Sequence, residues 1–274
     1  MSPSSGRQHA EVSVLIGTAK VDNWLDQAVW SVLQQSDVDL QVVVVHDGVL
    51  PNPLKPWTTD PRVEIIYQNE RLGLAAALNS GLALARHELI ARLDADDLCL
   101  PGRLASQAKK VNDQPDLVVV GGGAKYIDRL GHVIGTSRLA ASEDVRRSLL
   151  VRNQLIHSSV MYRRSVLVGS GGYDVTLNQM EDYELWMRLA HVGRVARMPD
   201  LLVSYRRHDN QISNTANPRE AHVAKILAAR RALAKMLGVA PTFQMMRDAA
   251  WVAAQYHRHR ALRPKRPPIE SLCI

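Results

Sequence analysis

The first 123 residues alternate between two patterns of apolar and polar positions. Uninterrupted apolar runs predict buried strands at 11–17, 40–48, 62–69, 88–97 and 116–123. Between them, apolar residues recur every three or four positions, which predicts helices at 22–36, 73–87 and 101–113. Asp22 is expected to cap the first helix. Because buried strands that alternate with helices form sheets covered on both faces, the pattern indicates an α/β fold with a mostly parallel central sheet.

The pattern after residue 123 is less regular. Extended segments are expected at 124–135 (a hairpin), 157–164 and 196–208. Helices are expected at 142–153, capped by Ser142, and at 180–193, ended by Gly193. The glycine triplet 121–123 lacks the spacing of a dinucleotide-binding fingerprint, and we expect a turn there at the end of a strand. We predict one domain over 1–217, followed by a basic helical extension over 218–274.

Composition agrees with a globular chain. Of the 274 residues, 46% are hydrophobic and 22% are charged, and there is no apolar run long enough for a spanning helix. The first residues lack the apolar stretch of a signal peptide, so we expect a cytoplasmic protein. The two cysteines, Cys99 and Cys273, fit neither a disulfide framework nor a metal site.

The positive charge is concentrated near the carboxyl end. Residues 219–268 carry eleven Lys or Arg against Glu220 and Asp248, a balance of +9 in a chain whose net charge is +7. The apolar positions of this segment form a helical stripe, namely Ile226, Leu227, Leu233, Met236 and Leu237. The stripe is expected to pack on the preceding domain; the alternative is contact with an anionic membrane surface. Nucleic acid is not expected, because aromatic residues are not interleaved with the basic ones.

Carboxylates follow two of the predicted strands. Asp94, Asp96 and Asp97 come at the end of the fourth strand in "ARLDADDLCLP", and Asp47 ends the second strand. In parallel sheets, ligands bind beyond the carboxyl ends of the strands. Carboxylate oxygens are the ligands that Mg²⁺ and Mn²⁺ prefer, and these ions bind phosphate oxygens in turn. The alternative is a solvated acidic turn.

A set of short motifs in a fixed order accompanies these acids. They are "VSVLIGT", "SVLQQS", "VVVVHDG", "LAAALNSGL", "ARLDADDLCLPGRLASQ", "IHSSVMYRRSV", "GGYD", "EDYELWMRL" and "VSYRRHDNQIS". From about Val12 to Ser213, the chain resembles the family 2 glycosyltransferases of the GT-A fold.

This resemblance implies a fold and an activity. The fold is a GT-A type α/β domain, with a Rossmann-like nucleotide-binding half at about 11–123 and an acceptor half at about 124–217. The activity is metal-dependent transfer, with inversion, of a hexosyl or deoxyhexosyl group from a nucleoside-diphosphate sugar. The acceptor is a hydroxyl of a glycan, a lipid-linked molecule or a small molecule. The implied location is the cytoplasm or the inner face of the membrane.

The resemblance also implies roles for single residues. Asp96 is the expected principal ligand of Mn²⁺ or Mg²⁺, with Asp94 and His208 as further ligands, while Asp97 orients its neighbours. Asp182 is the expected general base, because a sugar hydroxyl must lose its proton as the new bond forms. The donor is expected to be held by Asp94 together with Thr18, Asp47 and Arg71. Glu181 is expected to assist Asp182 or to bind the acceptor.

The chain departs from the family pattern at three positions. Gly17 and Ala19 stand where relatives commonly carry proline and tyrosine, and His46 replaces an aspartate. Losing an aromatic ring at position 19 removes a surface on which the nucleobase could stack, so the donor base is in doubt; Lys20 is an alternative contact. Arg206 or Arg207 is expected to face the phosphates.

Two other functions remain open. A nucleotidyltransferase would share a nucleotide site on a parallel sheet, but "GTAKVDN" is a poor match to its glycine-rich basic loop. The second is a catalytically degenerate relative that only binds sugar or membrane. Retention of the aspartate cluster and of Asp182 argues against it.

Overall fold

The computed structural model describes residues 9–49, 55–137, 140–209, 211 and 220–262, with side chains to residue 257. The strands are β1 (Ala10–Thr18), β2 (Val38–Asp47), β3 (Val63–Gln68), β4 (Leu89–Arg92), β5 (Leu98–Cys99), β6 (Leu117–Ile127), β7 (Val133–Thr136), β8 (Met161–Arg163) and β9 (Arg194–Arg206). The helices are α1 (Asn23–Leu33), α2 (Leu74–Leu84), α3 (Arg103–Asp113), α4 (Arg146–Leu149), α5 (Arg164–Gly169), α6 (Glu181–Leu189), α7 (Glu220–Met236) and α8 (Pro241–Leu262).

The strands form one sheet in the order β3-β2-β1-β4-β8-β6-β9-β5, with β7 paired to β6. The four strands from β3 to β4 are all parallel, which places the carboxyl ends of β1, β2 and β4 at one edge. Beyond β4 the sheet is mixed, because β8 runs antiparallel to both β4 and β6 whereas β9 runs parallel to β6. The α/β expectation is confirmed, and uniformly parallel pairing is confined to the first half.

Buried apolar residues cover both faces of this sheet. One cluster joins one face of β1 and β2 to α1 and α3, and a second joins the opposite face of these strands to α2 and α6. Asp22 caps α1 as expected, since its carboxylate accepts from the backbone N–H groups of Trp24 and Leu25. The loops at the strand ends therefore extend from a sheet that is packed on both faces.

Some expected boundaries are wrong. Strand β4 ends at Arg92, so Asp94 to Asp97 lie in the turn that follows it. Ser142 does not cap a helix: its backbone pairs with Arg197 across a β-bridge, and α4 begins only at Arg146. Helix α6 ends at Leu189, before Gly193.

The glycine triplet 121–123 lies inside β6 and not in a terminal turn. A Cβ atom on Gly122 would stand 2.5 Å from Cδ1 of Leu202 and 2.9 Å from the carbonyl oxygen of Asp200 in β9. The pairing of β6 with β9 shifts register at this point. The glycines thus allow the two strands to approach closely where they are irregular.

The extension packs on the rest of the chain, as the sequence favoured. Ile226 and Leu233 of α7 are fully buried in the cluster that contains α6, whereas Met236 on the same helix is 41% exposed. Helix α8 lies on α7 and exposes Phe243 and Met246. Contact of this surface with an anionic membrane stays a prediction. The expected boundary at 217, the side chains of the basic residues 258–266, and Cys273 all lie outside the described residues.

In the part of the chain that the structure describes, no helix combines the length and apolar character needed to cross a bilayer.

The burial of α7 predicts how the extension contributes to stability. Leu233→Ala should lower the free energy of unfolding by about 2–5 kcal/mol, because it opens a cavity in a packed core. Met236→Ala, on the exposed side of the same helix, should change it by less than about 0.5 kcal/mol. Urea unfolding of the whole protein measures both. Equally small losses would mean that α7 does not share the domain core in solution.

Candidate active site

A cavity of about 510 Å³ opens at the carboxyl ends of β1, β2 and β4. This is the position at which an open α/β sheet binds ligands. Seven of the eight residues expected at the site line the cavity, namely Thr18, Asp47, Arg71, Asp94, Asp96, Glu181 and His208. The eighth, Asp182, is not among the described lining residues.

Arg92, the last residue of β4, is 1% exposed and forms an ion pair with the carboxylate of Asp94. Burial alone would lower the pKa of Arg92, but the charge and hydrogen bond of Asp94, with smaller effects of Tyr173 and Asp97, raise it. The guanidinium therefore stays cationic beneath the cavity. Sequence reasoning missed this residue. Its signal was a charged side chain within the apolar run "LIARL".

Each of the other two acids in the turn also has a polar partner. Nε2 of His208 lies 2.7 Å from Oδ2 of Asp96. Asp97 is 1% exposed, and its Oδ1 accepts from the backbone N–H of Arg206 at 2.8 Å. Burial, and then the charge of Asp94, raises the pKa of Asp96 and raises that of Asp97 well above its usual value.

The turn suits a divalent cation. One carboxylate oxygen from each of Asp94, Asp96 and Asp97 lies within 4.8 Å of the others. Three hard oxygen donors at this spacing match the ligands of Mg²⁺ and Mn²⁺. Asp94 and Asp96 face the cavity, whereas Asp97 is directed into the protein and supports the turn.

Asp47, at the end of β2, holds the loop that forms one wall of the cavity. Its carboxylate accepts from the backbone N–H groups of Leu72 at 2.6 Å and Gly73 at 3.0 Å, directly before α2. Gly48 permits this close approach, since it has a φ of +69° and a Cβ there would stand 2.5 Å from the backbone nitrogen of Arg71. Asp47 thus fixes the position of Arg71.

Two acids begin α6. Glu181 is 8% exposed and lines the cavity. Asp182 is directed to the neighbouring segment, where its Oδ2 accepts from Nδ2 of Asn153 at 2.7 Å. Burial, followed by the charge of Asp182, raises the pKa of Glu181 to about 7. Burial also raises the pKa of Asp182, against the hydrogen bond from Asn153.

Comparison with known proteins identifies the family. The model of glycosyl transferase family 2 matches residues 13–169, more than half of the chain. The chain belongs to glycosyltransferase family 2. The amylovoran biosynthesis glycosyltransferase AmsE of Erwinia amylovora is 30% identical over 194 residues, which cover 69% of this chain and 73% of that protein. The O-antigen biosynthesis glycosyltransferase WbnJ of Escherichia coli is 30% identical over 213 residues, covering 75% and 83%.

A solved structure confirms the GT-A fold of this family 2 glycosyltransferase. The crystal structure of S. aureus TarS residues 1–349 in complex with UDP-GlcNAc superposes with a TM-score of 0.69 at 16% identity. The match covers 92% of this chain and 73% of that one. At such low identity the likeness establishes the fold.

The departures from the family pattern differ in where they lie. Gly17, Ala19 and Lys20 line the cavity, so the missing ring at position 19 does change its wall. His46 is not among the described residues that line the cavity; its ring is 2% exposed and stacks on Tyr67, with the ring centroids 4.9 Å apart. Burial lowers the pKa of His46, which keeps it neutral.

An aromatic side chain that sequence reasoning did not single out also lines the cavity. Trp24, at the start of α1, is partly exposed there, and its ring centroid lies 4.7 Å from that of His208. It was missed because it shares the helical stripe of the buried residues Leu25 and Ala28. This glycosyltransferase therefore has an aromatic surface on a different element from Ala19.

One of the tandem arginines was expected to face the phosphates, but neither is among the described residues that line the cavity. Arg206 is 1% exposed and donates to the backbone oxygen of Asp96 and to Oε1 of Gln27. Arg207 lies over the ring of Tyr126 at 4.0 Å. Strand β9 continues to Arg206 and directs it into the protein, whereas Arg207 follows the strand and is exposed.

The raised pKa of Glu181 predicts a pH dependence. Between pH 4.5 and about 7 the folded protein holds a proton on Glu181 that the unfolded chain has released, so stability falls as pH rises through this window. Relative to Glu181→Gln, the wild type should lose up to about 3 kcal/mol of unfolding free energy between pH 4.5 and 7.5.

Denaturant unfolding over this pH range in metal-free buffer measures the difference. Glu220→Gln, at an exposed position on α7, serves as control and should parallel the wild type. Parallel curves for Glu181→Gln and the wild type would contradict the raised pKa.

Proposed function

We propose that this enzyme is a metal-dependent, inverting glycosyltransferase that moves a hexosyl or deoxyhexosyl group from a nucleoside-diphosphate sugar to an acceptor hydroxyl. The observation that carries the proposal is the cavity at the strand ends, which Asp94, Asp96 and Glu181 line together. The nucleoside occupies the wall formed by Thr18, Asp47 and the Arg71 loop. Trp24 and Lys20 are available in place of the aromatic residue missing at position 19.

Asp94 and Asp96, with His208 adjacent, would hold the divalent ion, which supplies positive charge to the departing diphosphate. Arg92 holds the Asp94 carboxylate in place from below. UDP is the first nucleotide to consider, because the GT-A neighbour TarS binds UDP-GlcNAc.

The acceptor lies on the side of Asp182 and Asn153. Its hydroxyl oxygen attacks the anomeric carbon, the bond to the diphosphate oxygen breaks, and the hydroxyl proton passes to the Asp182 carboxylate. Attack from the face opposite the leaving group inverts the carbon. Burial raises the pKa of Asp182, which makes its ionised form a stronger proton acceptor.

The acceptor class follows from the relatives. AmsE and WbnJ carry names that refer to amylovoran and O-antigen biosynthesis. A glycan acceptor, free or lipid-linked, is therefore favoured over a small molecule. A lipid-linked acceptor would suit contact between the basic extension and the inner face of a membrane.

Metal and donor binding can be tested together. UDP with Mn²⁺ should stabilise the protein by about 2.7 kcal/mol at one hundred times the Kd, which thermal unfolding detects as a shift of several degrees. EDTA should remove the shift. Asp96→Asn should abolish it, whereas Asp39→Asn at an exposed position of β2 should not. The proposal fails if none of UDP, GDP, dTDP and CDP stabilises the wild type in a metal-dependent way.

The base assignment has its own test. Asp182→Asn should lower kcat for transfer by about 10²–10⁴-fold, because no carboxylate then takes the hydroxyl proton. The Kd for UDP and Mn²⁺ should stay within about twofold. Glu181→Gln is the matched comparison, one residue away on the same helical turn. If Glu181→Gln abolishes transfer and Asp182→Asn does not, the base is Glu181.

Product analysis separates the two rival functions. A glycosyltransferase releases a nucleoside diphosphate, and a nucleotidyltransferase releases pyrophosphate. A degenerate relative binds the donor and releases neither.

A further inference from the structure

The extension contains a buried ion pair that reaches the catalytic domain. Arg230 on α7 is fully buried, and its Nε donates to Oδ1 of Asp248 on α8 at 2.8 Å. Its Nη1 donates to the hydroxyl of Tyr183 on α6 at 2.9 Å and to the carbonyl oxygen of Val151 at 3.4 Å. One side chain of the extension thus contacts both α6 and the segment after α4.

The pair is held rigidly on the extension side. Asp248 is 3% exposed and also accepts from Nε of Arg231 at 2.9 Å and from Nε2 of Gln244 at 2.8 Å. The guanidinium of Arg230 lies over the ring of Trp251 at 5.3 Å. These contacts leave Arg230 little freedom to turn away from Tyr183.

Tyr183 carries the connection toward the proposed base. It directly follows Asp182 on α6, and its hydroxyl donates to the backbone oxygen of Leu149. Burial raises the pKa of Tyr183 to about 12, so the hydroxyl keeps the proton that it donates. The segment 149–153 is therefore tied to α6 at Leu149 and to the extension at Val151.

The last residue of this segment, Asn153, contacts the proposed base. Nδ2 of Asn153 donates to Oδ2 of Asp182 at 2.7 Å. A second link runs from Nη2 of Arg147 on α4 to the backbone oxygen of Leu237, just after α7, at 3.1 Å. Hydrogen bonds therefore connect Arg230, through Tyr183 and the segment 149–153, to Asp182.

We propose that Arg230 is a positioning residue for acceptor activation: from the extension, it fixes the segment 149–153 and with it the orientation of the Asp182 carboxylate. This inference rests on the proposed function, in which Asp182 accepts the hydroxyl proton. Arg230 touches neither donor nor acceptor in this arrangement.

Packing alone does not account for an arginine at this position. A buried ion pair is often no more stabilising than apolar residues of similar volume, because both charges lose their hydration. A methionine could fill the space but could not donate to Tyr183 and to Val151. The guanidinium is the group that can join Asp248, Tyr183 and a backbone oxygen at once.

The position of Arg230 separates its effect on the two substrates. It lies behind α6, and the described residues that line the donor cavity do not include it. Loss of its hydrogen bonds should therefore reduce turnover with the acceptor and leave donor binding intact. General destabilisation would instead lower the fraction of molecules that bind donor.

The experiment compares four variants of the full chain. Tyr183→Phe removes both hydrogen bonds of the hydroxyl and keeps the ring, and Arg230→Met removes the donors and keeps the volume. Arg230→Lys can pair with Asp248 but cannot also bridge to Tyr183 and Val151. Arg231→Met is the matched control, because Arg231 shares Asp248, is 58% exposed and has no contact with the segment 149–153 among the described contacts.

Transfer kcat is measured per donor-binding site, with the number of sites and the Kd for UDP and Mn²⁺ obtained by calorimetry. Tyr183→Phe and Arg230→Met should lower kcat by about 10- to 100-fold, since a small misplacement of a catalytic group is enough for such a loss. The kcat of Arg230→Lys should lie between those of these two variants and that of the wild type. Arg231→Met should keep kcat and Kd within about twofold of the wild type.

The outcomes separate this inference from the function on which it rests. Wild-type kcat in a folded Tyr183→Phe protein overturns the positioning role, even if Arg230→Met fails to fold. Parallel losses of kcat and of donor-binding sites overturn it as well, because they indicate general destabilisation. Absence of donor binding or transfer in the wild type overturns the proposed function and this inference together.

Discussion

The polar partners of the three carboxylates after β4 are the constraint on which the site depends. Three carboxylates within four positions would repel one another strongly in a partly buried turn. The protein supplies a partner to each from a different place: the Arg92 guanidinium to Asp94, the His208 ring to Asp96, and the backbone N–H of Arg206 to Asp97. Because these partners are built in, the acidic turn can keep one geometry before any ligand arrives.

The same contacts join the two halves of the domain. Arg206 and His208 belong to the end of β9 and the residues after it, while the acids follow a strand of the parallel half. A second junction lies at α6, where Glu181 faces the cavity and Asp182 faces Asn153. Acidic side chains from both halves of the domain therefore line one cavity: Asp94 and Asp96 from the turn after β4, and Glu181 from the start of α6.

The sequence alone was sufficient for the alternating strands and helices and for the acids at the strand ends, because both follow from local periodicity and from the topology of parallel sheets. It could not show which of two adjacent side chains faces the cavity. That choice depends on where a strand ends, as with Arg206, or on the first turn of a helix, as with Glu181 and Asp182. It also missed Arg92, whose role appears only once the carboxylate above it is located in space.

The partners of the acidic turn also bear on how the protein matures. Arg206 and His208 lie more than one hundred residues after the carboxylates that they contact, and β5 next to the turn pairs with β9. A growing polypeptide that has reached only β8 would carry the aspartates without these counterparts. Contacts of such long sequence separation form late, because the entropy of closing a long loop must be overcome first. The acidic turn should thus reach its final geometry only after β9 has been synthesised and has entered the sheet.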